Sequence, residues 1–304
     1  MRKMFVKKLV EYAEKNPNLI LLTDDLGTNC LEPFIEKFPN RFYNCGIAEQ
    51  TEVGIAAGLA MEGKKVFMYS IGNFISERAL EFLRNLVCYH ELDVTCVCVG
   101  AGVEYGPLGV THHAVDDMAG MRALPNMRIY NPASADECSM AMEDIFKHPG
   151  PAYLRLNKKG AEGLTLPPKS NIKDVLEYYA GRTTAIFATG SILSEAIMAG
   201  ETLYRQGVQI GVYSVPVVKP INRKQIEFLA NRYENIITLE EHSVIGGLGS
   251  AVCEIVAESG ARAQVTRFGI LDEFTCKVGN CAELRKYYHM NSDSLVEFIK
   301  GKLC

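Results

Sequence analysis

Glu49 is the residue of this sequence best placed to do chemistry. It stands in Tyr43-Asn44-Cys45-Gly46-Ile47-Ala48-Glu49-Gln50, at the mouth of a helix of small residues. Two environments compete for a carboxyl there: the helix dipole favours its ionised form, whereas an apolar ligand pocket favours the neutral acid, which can share a proton with a ring nitrogen. Thr111-His112-His113 supplies the second candidate. Imidazole titrates near neutrality and can relay protons, while two histidines without a further ligand nearby make an incomplete metal site. Asp24 and Asp25 end a β-rich run, where parallel sheets place ligand sites, although turns and helix caps favour the same residues. Phe74 has comparable claims to stack on a flat ring and to fill a core.

The chain that positions these groups has 304 residues, which at roughly 150 per domain suggests two domains. Hydrophobic residues at 48%, charged residues at 22% and a net charge of -4 exclude a general attraction to nucleic acid or anionic membrane. The start runs straight into charged helix-like sequence, and no apolar run reaches the length of a membrane span, so the cytoplasm is the expected compartment. None of the ten cysteines forms a CxxC pair, which favours free thiols in a reducing compartment over zinc or disulfides.

Residues 18–26, 65–71, 94–100, 127–130 and 152–156 read as strands with helices between them. Strands apolar on both faces and joined by helix-length connections predict a mostly parallel sheet covered on both sides. The pattern lapses between residues 158 and 178, where Pro167-Pro168 and the loss of periodicity mark a connector. It then resumes with strands at 184–188, 208–215, 236–239 and 264–268, and helices at 194–206, 223–233, 248–258 and 295–302. The expected fold is α/β, with two domains, residues 1–165 and 176–304, each a mostly parallel sheet flanked by helices. Gly54 and Gly58, four apart on the helix after Glu49, predict close packing within the fold or across a subunit seam.

Several strings, in this order, carry a resemblance. Gly46-Ile47-Ala48-Glu49-Gln50 with its small-residue helix, Thr111-His112-His113 and Met121-Arg122-Ala123-Leu124-Pro125-Asn126-Met127 are similar to the pyrimidine-binding domain of transketolases. Pro151-Ala152-Tyr153-Leu154-Arg155-Leu156, Glu240-Glu241-His242 and Gly246-Gly247-Leu248-Gly249-Ser250 resemble the end of that domain and the transketolase C-terminal domain. The resemblance implies thiamine diphosphate as cofactor, with Glu49 hydrogen-bonded to N1′ of the pyrimidine so that the 4′-amino group can act as the base at C2. It further implies Phe74 and Ile75 against the aminopyrimidine, Asp25 beside the site, and His112 next to the reacting centre as a proton relay. The transketolase motif Gly-Asp-Gly, which with a following Asn holds a divalent metal on the diphosphate, is absent from the sequence. The chain therefore resembles the C-terminal section of a split transketolase. A separate N-terminal subunit would supply the diphosphate site and its Mg2+ or Ca2+, in a heterotetramer of two plus two.

Departures from the family pattern concern the substrate. His113 replaces the usual Gln, and Lys158 stands where relatives bind a sugar phosphate with Arg, keeping the charge but losing the bidentate fork. Residues 100–110 lack the histidine and the Glu-Asp-Gly of relatives, leaving Glu104 and Tyr105 as replacement contacts. The function expected from the resemblance is transfer of a two-carbon ketol unit between sugars. The rival readings are the β subunit of a 2-oxoacid dehydrogenase and a non-catalytic partner chain of the same fold.

Overall fold

The computed structural model describes residues 1–303, and its chain is organised on two sheets. The strands are β1 (Leu19–Thr23), β2 (Phe42–Asn44), β3 (Lys65–Ile71), β4 (Val94–Val99), β5 (Arg128–Tyr130), β6 (Ala152–Leu156), β7 (Leu176–Tyr179), β8 (Thr184–Thr189), β9 (Gly211–Ser214), β10 (Val217–Lys219), β11 (Asn235–Ser243) and β12 (Gln264–Ile270). The first sheet has the order β10-β5-β6-β4-β3-β1-β2 and is parallel except for β10. The second has the order β12-β11-β8-β9-β7 and is parallel except for β7.

Side chains alternate between the faces of a strand, and here both faces are buried. Leu19 and Leu21 of β1 enter one apolar cluster while Ile20 and Leu22 enter another. In β8, Ala185 and Phe187 are divided in the same way from Ile186 and Ala188. Each sheet therefore sits between two layers of helices, the α/β architecture expected from the apolar strands. Strands β3 and β6 have the limits expected from sequence. Three strands were not expected: β2, whose residues are half-buried or exposed, β7 on the antiparallel edge, and β10, which crosses from the second half of the chain to the first sheet.

The helix Glu49–Met61 packs Val53, Ala56 and Ala57 under the first sheet. The expectation of close packing at Gly54 and Gly58 needs correcting in one respect. A Cβ at either position would meet no described atom within 4 Å outside the helix's own backbone, so close packing against the rest of this chain does not explain these glycines. Among the described residues no helix is long and apolar enough to cross a membrane. The nine described cysteines are free thiols, and Cys304 lies outside the described residues.

One buried ion pair of the first half reaches across to the second. Arg155 on β6 donates from Nε to Asp117 Oδ2 at 2.7 Å and from Nη2 to Asp117 Oδ1 at 3.1 Å. The same Nη2 reaches the carbonyls of Ala114 at 2.6 Å and of Glu241 on β11 at 3.1 Å. Burial pushes the Asp117 carboxyl up, but Arg155, His242 and the hydroxyl of Tyr153 outweigh it and hold the carboxyl below its ordinary range. Removing one partner leaves a charge without compensation in the interior. Arg155→Met is expected to cost about 3–5 kcal/mol of stability. Urea unfolding checks this, and a loss below about 1 kcal/mol would mean that Asp117 is not left as an uncompensated buried charge.

Candidate active site

The site is built on the helix that Glu49 opens and on the wide turn Phe74–Arg78 that follows β3. Glu49 lies in the first turn of its helix, where no side chain caps the free N–H groups and the dipole favours an anion. Its side chain is buried, and Arg78 Nη1 donates to Oε1 at 3.0 Å. The turn 74–78 has π geometry, one residue wider than an α-turn, a form frequent at functional sites. It brings the guanidinium of Arg78 over the ring of Phe74, 4.7 Å from the centroid. The ring of His112 meets Phe74 edge-on at 5.0 Å. Glu49, Arg78, Phe74 and His112 thus form one connected series.

A cleft of about 640 Å³ opens beside them, between the two halves of the chain, with Phe74, Arg78 and Thr111 on one wall and residues 270–275 on the other. Glu77 and Asp116 also line it. Burial first, then the charge of Asp116, push the Glu77 carboxyl up to about 7. Near Glu49, Asp24 Oδ1 and both oxygens of Glu52 are buried without a hydrogen-bond partner, and in the adjoining segment 73–78 the same is true of Asn73 Oδ1 and Ser76 Oγ. Such orphans mark a strained site or one awaiting a ligand.

The remaining residues expected from sequence fall in different places. Asp25 is exposed at φ 63° and exchanges hydrogen bonds with Asn44 at 3.0 Å. Its neighbour Asp24 is the buried one: Ser70 donates to it, and burial, opposed by that bond, pushes its carboxyl up to about 6. Ile75 is wholly buried in the core with Ala79 and Leu83, so Phe74 rather than Ile75 presents a face to the cleft. His113 is buried, with Nδ1 2.7 Å from the Thr275 hydroxyl and Nε2 3.4 Å from the Gly106 carbonyl, and burial lowers its pKa. Both ring nitrogens are engaged, so His113 holds the loop to the second half. Glu104 accepts from Asn157 at 2.8 Å, and Lys158 lies 4.3 Å above the ring of Tyr105. Tyr105 in turn faces His112 at 6.4 Å, linking the substituted loop to the central series. Among the described residues no three of His, Cys, Asp and Glu are grouped to hold a metal.

Sequence reasoning missed Arg78 and Glu52. Both carry a spacing signal: Arg78 follows Phe74 by four residues, and Glu52 follows Glu49 by three, one turn on.

The chain is similar to known proteins over nearly its whole length. Residues 1–162 match the transketolase pyrimidine-binding domain and residues 175–295 the transketolase C-terminal domain. A protein of Methanocaldococcus jannaschii described as a transketolase C-terminal section is 36% identical, covering 100% of this chain and 96% of its own. A protein of Actinobacillus succinogenes named as one of the subunits of an apulose-4-phosphate transketolase is 33% identical, covering 97% and 95%. A solved split-gene transketolase, described as an inactive beta4 tetramer, superposes with a TM-score of 0.89 at 32% identity, covering 99% and 97%.

Gly100 fixes the position of Tyr105. It has φ 82°, and a Cβ there would lie 2.0 Å from the tyrosine ring. Gly100→Ala is expected to displace Tyr105 at a cost of about 1–3 kcal/mol and to shift the His112 imidazole resonances. Unchanged His112 signals in the NMR spectrum would show that Tyr105 does not set the environment of that ring.

Proposed function

The chain belongs to the transketolase family, and on that premise we propose that it is the C-terminal subunit of a split, thiamine-diphosphate-dependent transketolase. The observation that carries the reading is the buried Glu49 carboxyl at a helix N-terminus, beside an accessible aromatic face, with orphaned polar atoms around it. Those residues fit the aminopyrimidine half of the cofactor. The diphosphate and its Mg2+ or Ca2+ would be held by an N-terminal subunit carrying Gly-Asp-Gly, a motif this sequence lacks. Relatives named as separate subunits support such a partner, and the reading gives an assembly of two plus two. The bound cofactor supplies a carbanion nucleophile and an electron sink for the two-carbon unit.

This chain's own residues prepare that chemistry. Glu49 holds a proton at N1′ of the pyrimidine. Arg78 fixes the direction of the carboxyl, and Phe74 offers its face to the ring. His112, half-exposed and with Nδ1 3.0 Å from the Thr111 hydroxyl, moves protons at the substrate oxygens. Asp25 stands at the edge of the site near Asn44, and Ile75 supports the Phe74 turn from within the core. Glu104, Tyr105, Lys158 and His113 shape the sugar end.

The reaction is transfer of a two-carbon ketol unit from a ketose to an aldehyde. The substituted loop and Lys158 favour a donor or acceptor other than the usual pentose phosphates, because a site built for particular hydroxyls discriminates strongly when its partners change. Relatives at 33% and 32% identity are named for apulose 4-phosphate and for 6-deoxy-6-sulfo-D-fructose, which supports an unusual sugar here too.

Three outcomes are expected. Calorimetry of this chain alone should find thiamine diphosphate binding weaker than micromolar, about -8 kcal/mol; tighter binding would contradict the split-site reading. In the enzyme reconstituted with its partner, Glu49→Gln should retain assembly but slow exchange of the C2 proton by at least about a hundredfold, in the range of a lost general acid. Exchange at the wild-type rate would remove Glu49 from its role. A panel of ketoses and aldehydes should give a kcat/KM for some other sugar above that for xylulose 5-phosphate with ribose 5-phosphate, and the reverse ranking would sink the substrate proposal.

A further inference from the structure

Glu52 has no role in the chemistry described so far, yet it is the most unusual carboxyl in the chain. It follows Glu49 by one helical turn, so the two side chains share a face. It is 0% exposed, and neither of its oxygens has a hydrogen-bond partner. Among the described residues no Lys, Arg or His forms an ion pair with it. The groups that act on it through their charge are Asp24 and Glu49, both acidic. Arg78, which faces both of those carboxyls, makes its ion pair with Glu49, and the hydroxyl of Ser70 is given to Asp24. The thiols of Cys45 and Cys96 are near enough to feel its charge and offer no cation.

We propose that Glu52 is a positioning residue that remains a neutral carboxylic acid one turn below Glu49, and that its neutrality lets Glu49 release a proton to a bound ring. The second half of this proposal rests on the reading of Glu49 given above. The first half rests on geometry. A carboxylate without water, hydrogen bonds or a counter-charge is far costlier than the protonated acid, so the group keeps its proton instead. Burial, then the charges of Asp24 and Glu49, accordingly push Glu52 up to about 9. A shared metal is not an alternative source of compensation, since no group of three ligands converges among the described residues. Once ionised, Glu52 would place a second negative charge beside Glu49 and oppose the separation of Glu49 from its proton.

Both halves can be tested separately. In this chain labelled with 13C at glutamate side chains, one carboxyl resonance should titrate above pH 8 (Glu52 is expected near 9) and be missing in Glu52→Gln. The same set of alkaline titrations in both proteins would overturn the inference. Stability gives an independent reading. A carboxyl raised in the folded state contributes stability that is present below its unfolded pKa and is lost as pH rises through the folded one. Wild type should therefore lose Tm relative to Glu52→Gln progressively from about pH 4.5 to about pH 9, and a constant difference would count against a buried neutral acid. Should Glu52→Gln not fold, Glu52→Leu gives the same comparison.

In the reconstituted enzyme, C2-proton exchange should fall on the alkaline side in wild type, with that limb lost in Glu52→Gln. Identical pH profiles would overturn the positioning role while leaving the titration result in place. No C2 exchange in wild type at any pH would instead refute the thiamine reading, and the positioning role with it, whereas the alkaline carboxyl would still be seen by NMR.

Discussion

The ion pair between Asp117 and Arg155 is the contact on which the arrangement of the cleft depends. Both residues lie away from water, and each satisfies several groups at once. Asp117 also accepts from the Tyr153 hydroxyl at 2.6 Å and lies 3.9 Å from Nε2 of His242. An apolar replacement could match such a pair in stability, but it would not address two carbonyls and a carboxylate from one guanidinium. That directionality sets the stretch 111–117 against β6 on one side and β11 on the other. His112 is carried on that stretch, so the placement of a half-exposed imidazole is decided by charges fixed in the interior.

The site itself is organised around carboxyl groups kept under different constraints. Glu49 has a cation and a helix terminus; Asp24 has only a serine hydroxyl for one oxygen; Glu52 has nothing. Three acids within one small region therefore sit in three different environments, and the difference follows from partners and burial rather than from residue type. Beside Phe74, Glu77 and Asp116 form a second acidic pair, so the wall of the cleft is acidic, relieved by Arg78.

Much of this organisation was legible in the sequence. Period and composition gave the central strands β3, β4 and β6, because strands buried on both faces are continuous apolar runs. Strands β2 and β7 escaped because a short edge strand exposes or half-exposes most of its residues, and β10 because its three residues, though Val217 and Val218 are buried, are too short a run to display. Glu49, Phe74 and His112, singled out from the sequence, lie in one series linked through Arg78. What a linear reading could not supply was direction: Asp24 rather than Asp25 turns inward, Ile75 enters the core, and both nitrogens of His113 are consumed by Thr275 and Gly106. These outcomes depend on the backbone at φ 63° at Asp25 and on partners as distant in sequence as Thr275 is from His113.

Strand β10 lies beyond the Pro167-Pro168 connector in sequence yet completes the edge of the sheet that precedes it. On a ribosome that makes residues in order, β5 must therefore wait with an open edge until residues 217–219 have emerged. The connector is then a hinge in sequence only, and cutting the gene there would yield a first half with unpaired backbone groups along β5. Such an edge is a template for wrong pairing with other chains. The two halves are thus separate layers in space but one unit in the order of their assembly.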